Sequence, residues 1–148
     1  MTASSPSGTG PDGTGRAGAA ALILVIERDP HVRALERFFL EDAGYTVEFC
    51  DGGDSVIARA RSVRPIIVVT EILIPGMDGL SVCRALKADP ATESILVLVF
   101  SVLAAEDRAR EAGADGFLRK PVNETLLIGA VERLLADGAQ EGPPRGTN

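Results

Sequence analysis

The chain has 148 residues, 45% of them apolar, which suits one domain with a modest core. Its net charge of −6, with Lys and Arg scattered, argues against a nucleic-acid binder. The two cysteines, Cys50 and Cys83, are too few for a disulfide framework or a Cys-ligated metal and suit buried thiols in a reducing cytosol.

Residues 1 to about 18 are rich in Gly, Ser, Thr and Pro and read as a disordered tail. The pattern G-x-G-x-x-G occurs there twice, from Gly8 to Gly13 and from Gly13 to Gly18. A dinucleotide loop needs a strand before its glycines, and none precedes these. The apolar run 19–26 stops at Glu27-Arg28-Asp29 without a cleavage site, so it is a strand and not a signal peptide. No run approaches the about 18 residues that a membrane helix needs, and a cytoplasmic protein is expected.

Strand and helix then alternate. The run 21–26 is wholly apolar, as in a strand buried on both faces. Pro30 opens a first helix that ends at Gly44, with Val32, Leu35 and Phe38–Phe39 as its expected inner stripe. A second strand spans 45–50. A short helix comes next, with Val56, Ile57 and Ala60 inward. The third strand spans 65–71, and a helix over 79–89 places Leu80, Cys83 and Leu86 on one face. The fourth strand spans 94–101, a short helix 104–113 and a short fifth strand 115–118. Asn123 caps a last helix with the stripe Leu126, Leu127, Ala130, Val131, Leu134 and Leu135. Residues 137–148 read as a second tail, leaving a domain over 19–136.

Five strand–helix units with short loops mean a parallel sheet covered on both faces. In such sheets, sites form beyond the carboxyl ends of the strands. The residues there are Glu27, Arg28 and Asp29 after the first strand and Glu71 at the end of the third. Ser101 ends the fourth, and Lys120 comes after the fifth. They converge only if strands one, three, four and five lie side by side. His31 reads as a surface or cap residue, and Asn123-Glu124-Thr125 as a helix cap. No nucleophile–base pair, metal cluster or phosphate loop stands elsewhere, so an enzyme is not expected.

This set resembles the receiver domain of two-component response regulators. The resemblance runs from about Ala21 to Leu135. It rests on LILVIERDPHVR (22–33), IPGMDGLSVCRALK (74–87), the Ser101 hydroxyl and GADGFLRKP (113–121). It implies a flavodoxin-like (βα)5 doubly wound parallel sheet in the order 2-1-3-4-5. It also implies an Asp phosphorylated, with Mg²⁺, by a partner histidine kinase. Ser101 and Lys120 match the family's hydroxyl and lysine, and Phe117 stands at its aromatic switch position. Two positions depart. The family's phosphoacceptor position holds Glu71, where the family has Asp. The acidic pair after the first strand falls on Glu27 and Arg28, so an arginine replaces a metal-binding acid. The segment between Ser101 and Lys120 is also about one helical turn short, which should clip the fourth helix or the loop before it.

Those departures change the chemistry. Three carboxylates and a lysine favour Mg²⁺, a hard cation that wants oxygen ligands. Glu27 and Glu71 against Arg28 and Lys120 sum to about zero, so Mg²⁺ is disfavoured; were it kept, Glu27 and Glu71 would be its ligands. Glu71 carries one more methylene, which moves its carboxylate about 1.5 Å further out, toward Ser101 and Lys120. The expected site is ion-paired, Glu71 with Lys120, and with Arg28 standing where metal would.

The expected function is that of an atypical single-domain receiver, a phosphorylation-independent protein-interaction module. The alternative is a conventional Mg²⁺-dependent phosphoacceptor in a phosphorelay; an unrelated flavodoxin-like ligand binder is a third reading. Partners are other signalling proteins, a histidine kinase or an output protein. A homodimer would form through the fourth helix, fifth strand and fifth helix around Phe117. Neither nucleic acid nor membrane is expected.

Overall fold

A computed structural model describes residues 21–140. The amino-terminal tail, with its glycine patterns, and residues 141–148 lie outside the described residues.

Ten elements alternate. They are β1 (Leu22–Ile26), α1 (Pro30–Asp42), β2 (Thr46–Cys50), α2 (Gly53–Val63) and β3 (Ile67–Thr70), then α3 (Gly79–Ala88), β4 (Leu96–Ser101), α4 (Glu106–Glu111), β5 (Gly116–Arg119) and α5 (Glu124–Gln140). All pairings are parallel, and the strand order is β2-β1-β3-β4-β5. This is the expected flavodoxin-like order.

The continuous apolar strands split their side chains between two cores, because successive residues of a strand point to opposite faces. Ile23, Val25, Ile67, Val69, Leu98 and Phe100 face α1 and α5. Leu24, Ile26, Val68, Val97 and Val99 face α2, α3 and α4. Burying each of these apolar side chains contributes about 1.5–3 kcal/mol. The expected inner residues of α2 and α3 are in place: Val56, Ala60, Leu80, Cys83 and Leu86 are buried, with Ile57 half-buried. Both cysteines are free and buried. Burial pushes the Cys83 thiol up to about 11, which keeps it an inert core group.

Three expectations need correction. In α1 the inner row is Val32, Glu36, Phe39 and Leu40, while Leu35 is 42% and Phe38 64% exposed. The helix is turned relative to its apolar stripe, and an acid sits in the buried row. In α5, Leu126 is 54% exposed, outside the buried row of Leu127, Ala130, Val131 and Leu134. That helix also continues to Gln140, past Asp137, where the sequence suggests a tail. Gly138 lies against Leu96 at the start of β4, which carries the last turn along the sheet.

The fourth helix is short, as expected, with six residues and no side-chain cap at Ala105. Asn123 does cap α5, its Oδ1 accepting from the Leu126 N–H at 3.0 Å.

Candidate functional site

The strand order places β1, β3, β4 and β5 side by side, so the residues at their carboxyl ends meet. Glu27 comes directly after β1, Glu71 directly after β3, Ser101 ends β4 and Lys120 comes directly after β5. The loop after β3 is shaped by the turn Pro75-Gly76-Met77-Asp78-Gly79. Gly76 sits at φ +75°, which favours glycine. Gly79 packs directly on the site: a Cβ there would lie 2.2 Å from the Glu71 carbonyl oxygen. Its own N–H donates to the Ile72 carbonyl at 2.9 Å. Asp78 caps α3 through the Ser81 N–H at 2.9 Å.

Glu71 is the centre. Its Oε2 accepts from the Ile72 N–H at 2.6 Å, the Leu73 N–H at 3.4 Å and the Ser101 hydroxyl. Its Oε1 accepts from the Val102 N–H at 3.2 Å and pairs with Lys120 Nζ at 3.0 Å. Ser101 Oγ in turn accepts from the Leu103 N–H at 3.1 Å. Five donors from three loops therefore converge on one carboxylate.

Lys120 also reaches Glu27 Oε1 at 2.5 Å. Its ammonium stands 5.6 Å from the Phe100 ring centroid, in cation–π range. Glu27 Oε2 accepts from the Asp29 N–H at 3.0 Å, and the Glu27 carbonyl accepts from the Arg33 guanidinium. Glu27 and Glu71 are buried, 5% and 7% exposed, and Lys120 is largely covered, its side chain 10% exposed.

Burial raises the Glu71 carboxyl, but the hydrogen bonds from Ser101 and Lys120 outweigh it and hold it below its ordinary value. Burial likewise lowers Lys120, and its bonds to Glu27 and Glu71 outweigh that and raise it. Both shifts favour the charged forms of Glu71 and Lys120.

Arg28 departs from expectation. It is exposed on the rim of the cleft and makes no ion pair among the described residues. It lines the mouth of the same cleft as Glu27, Asp29, Glu71 and Lys120, with its side chain in solvent rather than paired in the interior. The enclosed charge is then two carboxylates against one ammonium, one net negative charge rather than zero. Asp29 is also on the outside, where its Oδ1 caps α1 by accepting from the His31 N–H at 2.8 Å. His31 is a surface residue, its side chain 96% exposed.

Two features escape a reading by residue type. The backbone amides of Ile72, Leu73 and Val102 carry no side-chain signature. Glu36 is 1% exposed, with its Oε1 lacking a hydrogen-bond partner among the described residues. Its one signal is spacing, four residues after Val32 and four before Leu40.

Beside the site, Phe117 is half-buried on the core over β4 and α4. It lines a cleft with Ala104, Ala105, Arg108 and Arg119 that the short α4 leaves open.

The model of the response regulator receiver domain matches residues 23–132. The chain belongs to this family. It is 37% identical over 125 residues to the response regulator MprA of Mycolicibacterium vanbaalenii, covering 80% of this receiver and 54% of that protein. It is 34% identical over 119 residues to the response regulator PleD of Caulobacter vibrioides, covering 78% and 26%. The transcriptional regulatory protein ResD of Bacillus subtilis is 29% identical over 118 residues, 80% of this receiver and 49% of its own length. The chain thus spans about half or less of these relatives. Among solved structures, the receiver domain of a signal transduction histidine kinase from Syntrophus aciditrophicus superposes with TM-score 0.73 at 32% identity, covering 80% of this chain and 92% of that one. A response regulator structure from Chloroflexus aurantiacus gives TM-score 0.76 at 26% identity, covering 80% and 99%. The chain carries a receiver domain of two-component signalling, and no described helix is long and apolar enough to cross a membrane.

Proposed function

We propose that this receiver signals without phosphorylation, with Glu71 standing at the phosphoacceptor position and its own carboxylate doing the work of the phosphoryl group. The observation that carries the reading is the set of five donors on that carboxylate. Donors from the β3 loop, the β4–α4 segment and the residue after β5 are what an incoming phosphoryl group would need. Here an internal anion has them already. A partner then reads a fixed state through α4, β5 and α5 around Phe117, with no chemical step in the domain. Partners of this kind are a histidine kinase, an output protein or a second copy of the chain.

The residues do not suit Mg²⁺. One Glu27 oxygen is held by Lys120 at 2.5 Å and the other by the Asp29 amide. Both Glu71 oxygens are taken, and an exposed arginine stands next to Glu27. A small octahedral cation would have to displace these donors and would find two carboxylates beside an ammonium.

The test is incubation with a small acyl-phosphate donor and Mg²⁺, read by intact mass. The expected result is an unchanged mass. A stable adduct of one phosphoryl group on Glu71 would return the protein to conventional phosphoacceptors. The pair Arg28→Asp with Glu71→Asp should restore Mg²⁺ binding, read by calorimetry.

A further inference from the structure

Glu36 is the inward-facing acid of α1, 1% exposed, between Val32 and Leu40 in the row that packs on the sheet. Its Oε1 is buried with no hydrogen-bond partner among the described residues. A carboxylate in that position is costly, since no group among the described residues replaces the water that Oε1 loses. Four charged groups are near enough to act on it electrostatically: Glu27 after β1, Glu71 after β3, Lys120 after β5 and Arg33 on its own helix. Burial first, and then the Glu27 charge, push the Glu36 carboxyl up to about 8, against the pull of Lys120 and Arg33. Glu36 is therefore mostly protonated at neutral pH, and it adds no charge to the site.

We propose that Glu36 is a proton-controlled competitor for Lys120, whose loss of a proton weakens the ammonium's hold on Glu71. Lys120 already serves two carboxylates, at 2.5 Å and 3.0 Å. A third would leave two net negative charges where there is one, in an interior that salt does not screen. The new charge repels Glu27 and Glu71 and attracts the ammonium. The Glu71 contact is the longer of the two, and it is the one that yields. Glu71 then keeps Ser101 and the amides but loses its link to the end of β5. The link between β3 and β5 becomes weaker as pH rises through the Glu36 transition. The signalling meaning of this rests on the proposed lock, whereas the titration itself does not.

The test is a pH titration of the full chain by NMR, from about pH 6 to about 9.5. It tracks the side-chain carboxyl carbons of Glu36 and Glu71 and the Nζ of Lys120. Glu71 and Lys120 should move in one step that shares the Glu36 midpoint. Glu36→Gln, a neutral isostere of the protonated acid, should abolish that step and leave the neutral-pH signals of Lys120 in place. Glu36→Leu, which fills the same core position, should also abolish it. The proposal is overturned if Glu71 and Lys120 stay flat while Glu36 titrates, if the step persists in both variants, or if Glu36 titrates in the ordinary carboxylate range. Phosphoryl uptake by the wild-type chain would overturn the lock and leave this titration result standing.

Discussion

Lys120→Met removes one charge and keeps much of the side chain's bulk, so it isolates what the ammonium does. Glu27 and Glu71 would be left 5% and 7% exposed without their shared counter-ion. Removing one partner of a buried ion pair costs about 3–5 kcal/mol, because the other charge stays buried and uncompensated. The low end applies here, since Ser101 and three amides still hold Glu71, so the expected loss is about 3 kcal/mol at pH 7. Urea unfolding monitored by circular dichroism measures it. With a slope of about 1.5 kcal/mol per molar, the midpoint should fall by about 2 M. The pH dependence gives a second check. In the wild type the Glu71 carboxyl is held low, so its contribution is present above the ordinary carboxylate range and lost as pH falls through its folded value. Lys120 is held high, and its contribution is present at neutral pH and lost only as pH rises through its folded value. In the variant Glu71 can relieve its burial by taking a proton, so the gap to wild type should narrow below about pH 5. A loss under about 1 kcal/mol at pH 7 with unchanged slope, or a gap that stays constant down to about pH 4, would refute the ion-paired site.

Glu36→Leu should stabilise the protein by about 2 kcal/mol at pH 7, because it replaces an orphaned acid with a core side chain. The folded carboxyl near 8 lies above its ordinary value of 4.5, so the folded state holds a proton that the unfolded chain has released. Wild-type stability should then fall as pH rises between these values, by up to about 1.4 kcal/mol per unit, and the variant should lose that slope in thermal unfolding across pH. Gly79→Ala should cost about 2–3 kcal/mol in denaturant titration, since its Cβ would press on the Glu71 carbonyl at 2.2 Å and the Ile72 Cα at 2.9 Å, both backbone. Its second readout is faster exchange of the Gly79 amide, now bonded to the Ile72 carbonyl. Arg28→Ala should change stability by no more than about 0.5 kcal/mol, as an exposed side chain outside the ion pairs implies. A larger loss by the same titration would return Arg28 to the site.

The elements were legible because apolar runs, Pro30 and the glycines at 44 and 79 mark where strands and helices begin and end. The four groups at the strand ends were legible for a topological reason: a parallel sheet gathers the residues at the carboxyl ends of its strands along one edge. The strand order rested on the likeness to receivers, and the register agrees with it. Side-chain direction was harder to read. The turn of α1 about its axis is set by contact with the sheet, not by counting apolar residues, and the acid at Glu36 interrupts the count. Arg28 and Asp29 sit one and two residues past an inward Glu27, where the chain is already turning to form a helix cap. Formal charge along a segment does not say which charges are enclosed. The amides on Glu71 belong to backbone conformation, which no residue name records.

The length of Glu71 decides what the site can hold. Its two oxygens reach a hydroxyl and an amide at the end of β4 as well as the ammonium after β5, while also taking amides of their own loop. An Asp at the same backbone position would stop about 1.5 Å short. The Val102 N–H, at 3.2 Å from Glu71, would then fall outside hydrogen-bond range, since such bonds fade beyond about 3.2–3.5 Å. The donors around an Asp would be left facing a gap, and in the proposed reading that gap is the space a phosphoryl group fills. In that reading a Glu closes it with its own carboxylate. In the proposed reading the two arrangements compete for the same hydroxyl, amides and ammonium, so using these donors for Glu71 takes the place of reversible occupation by phosphate. In the proposed reading, the proton on Glu36 is one charge beside that carboxylate that changes close to neutral pH.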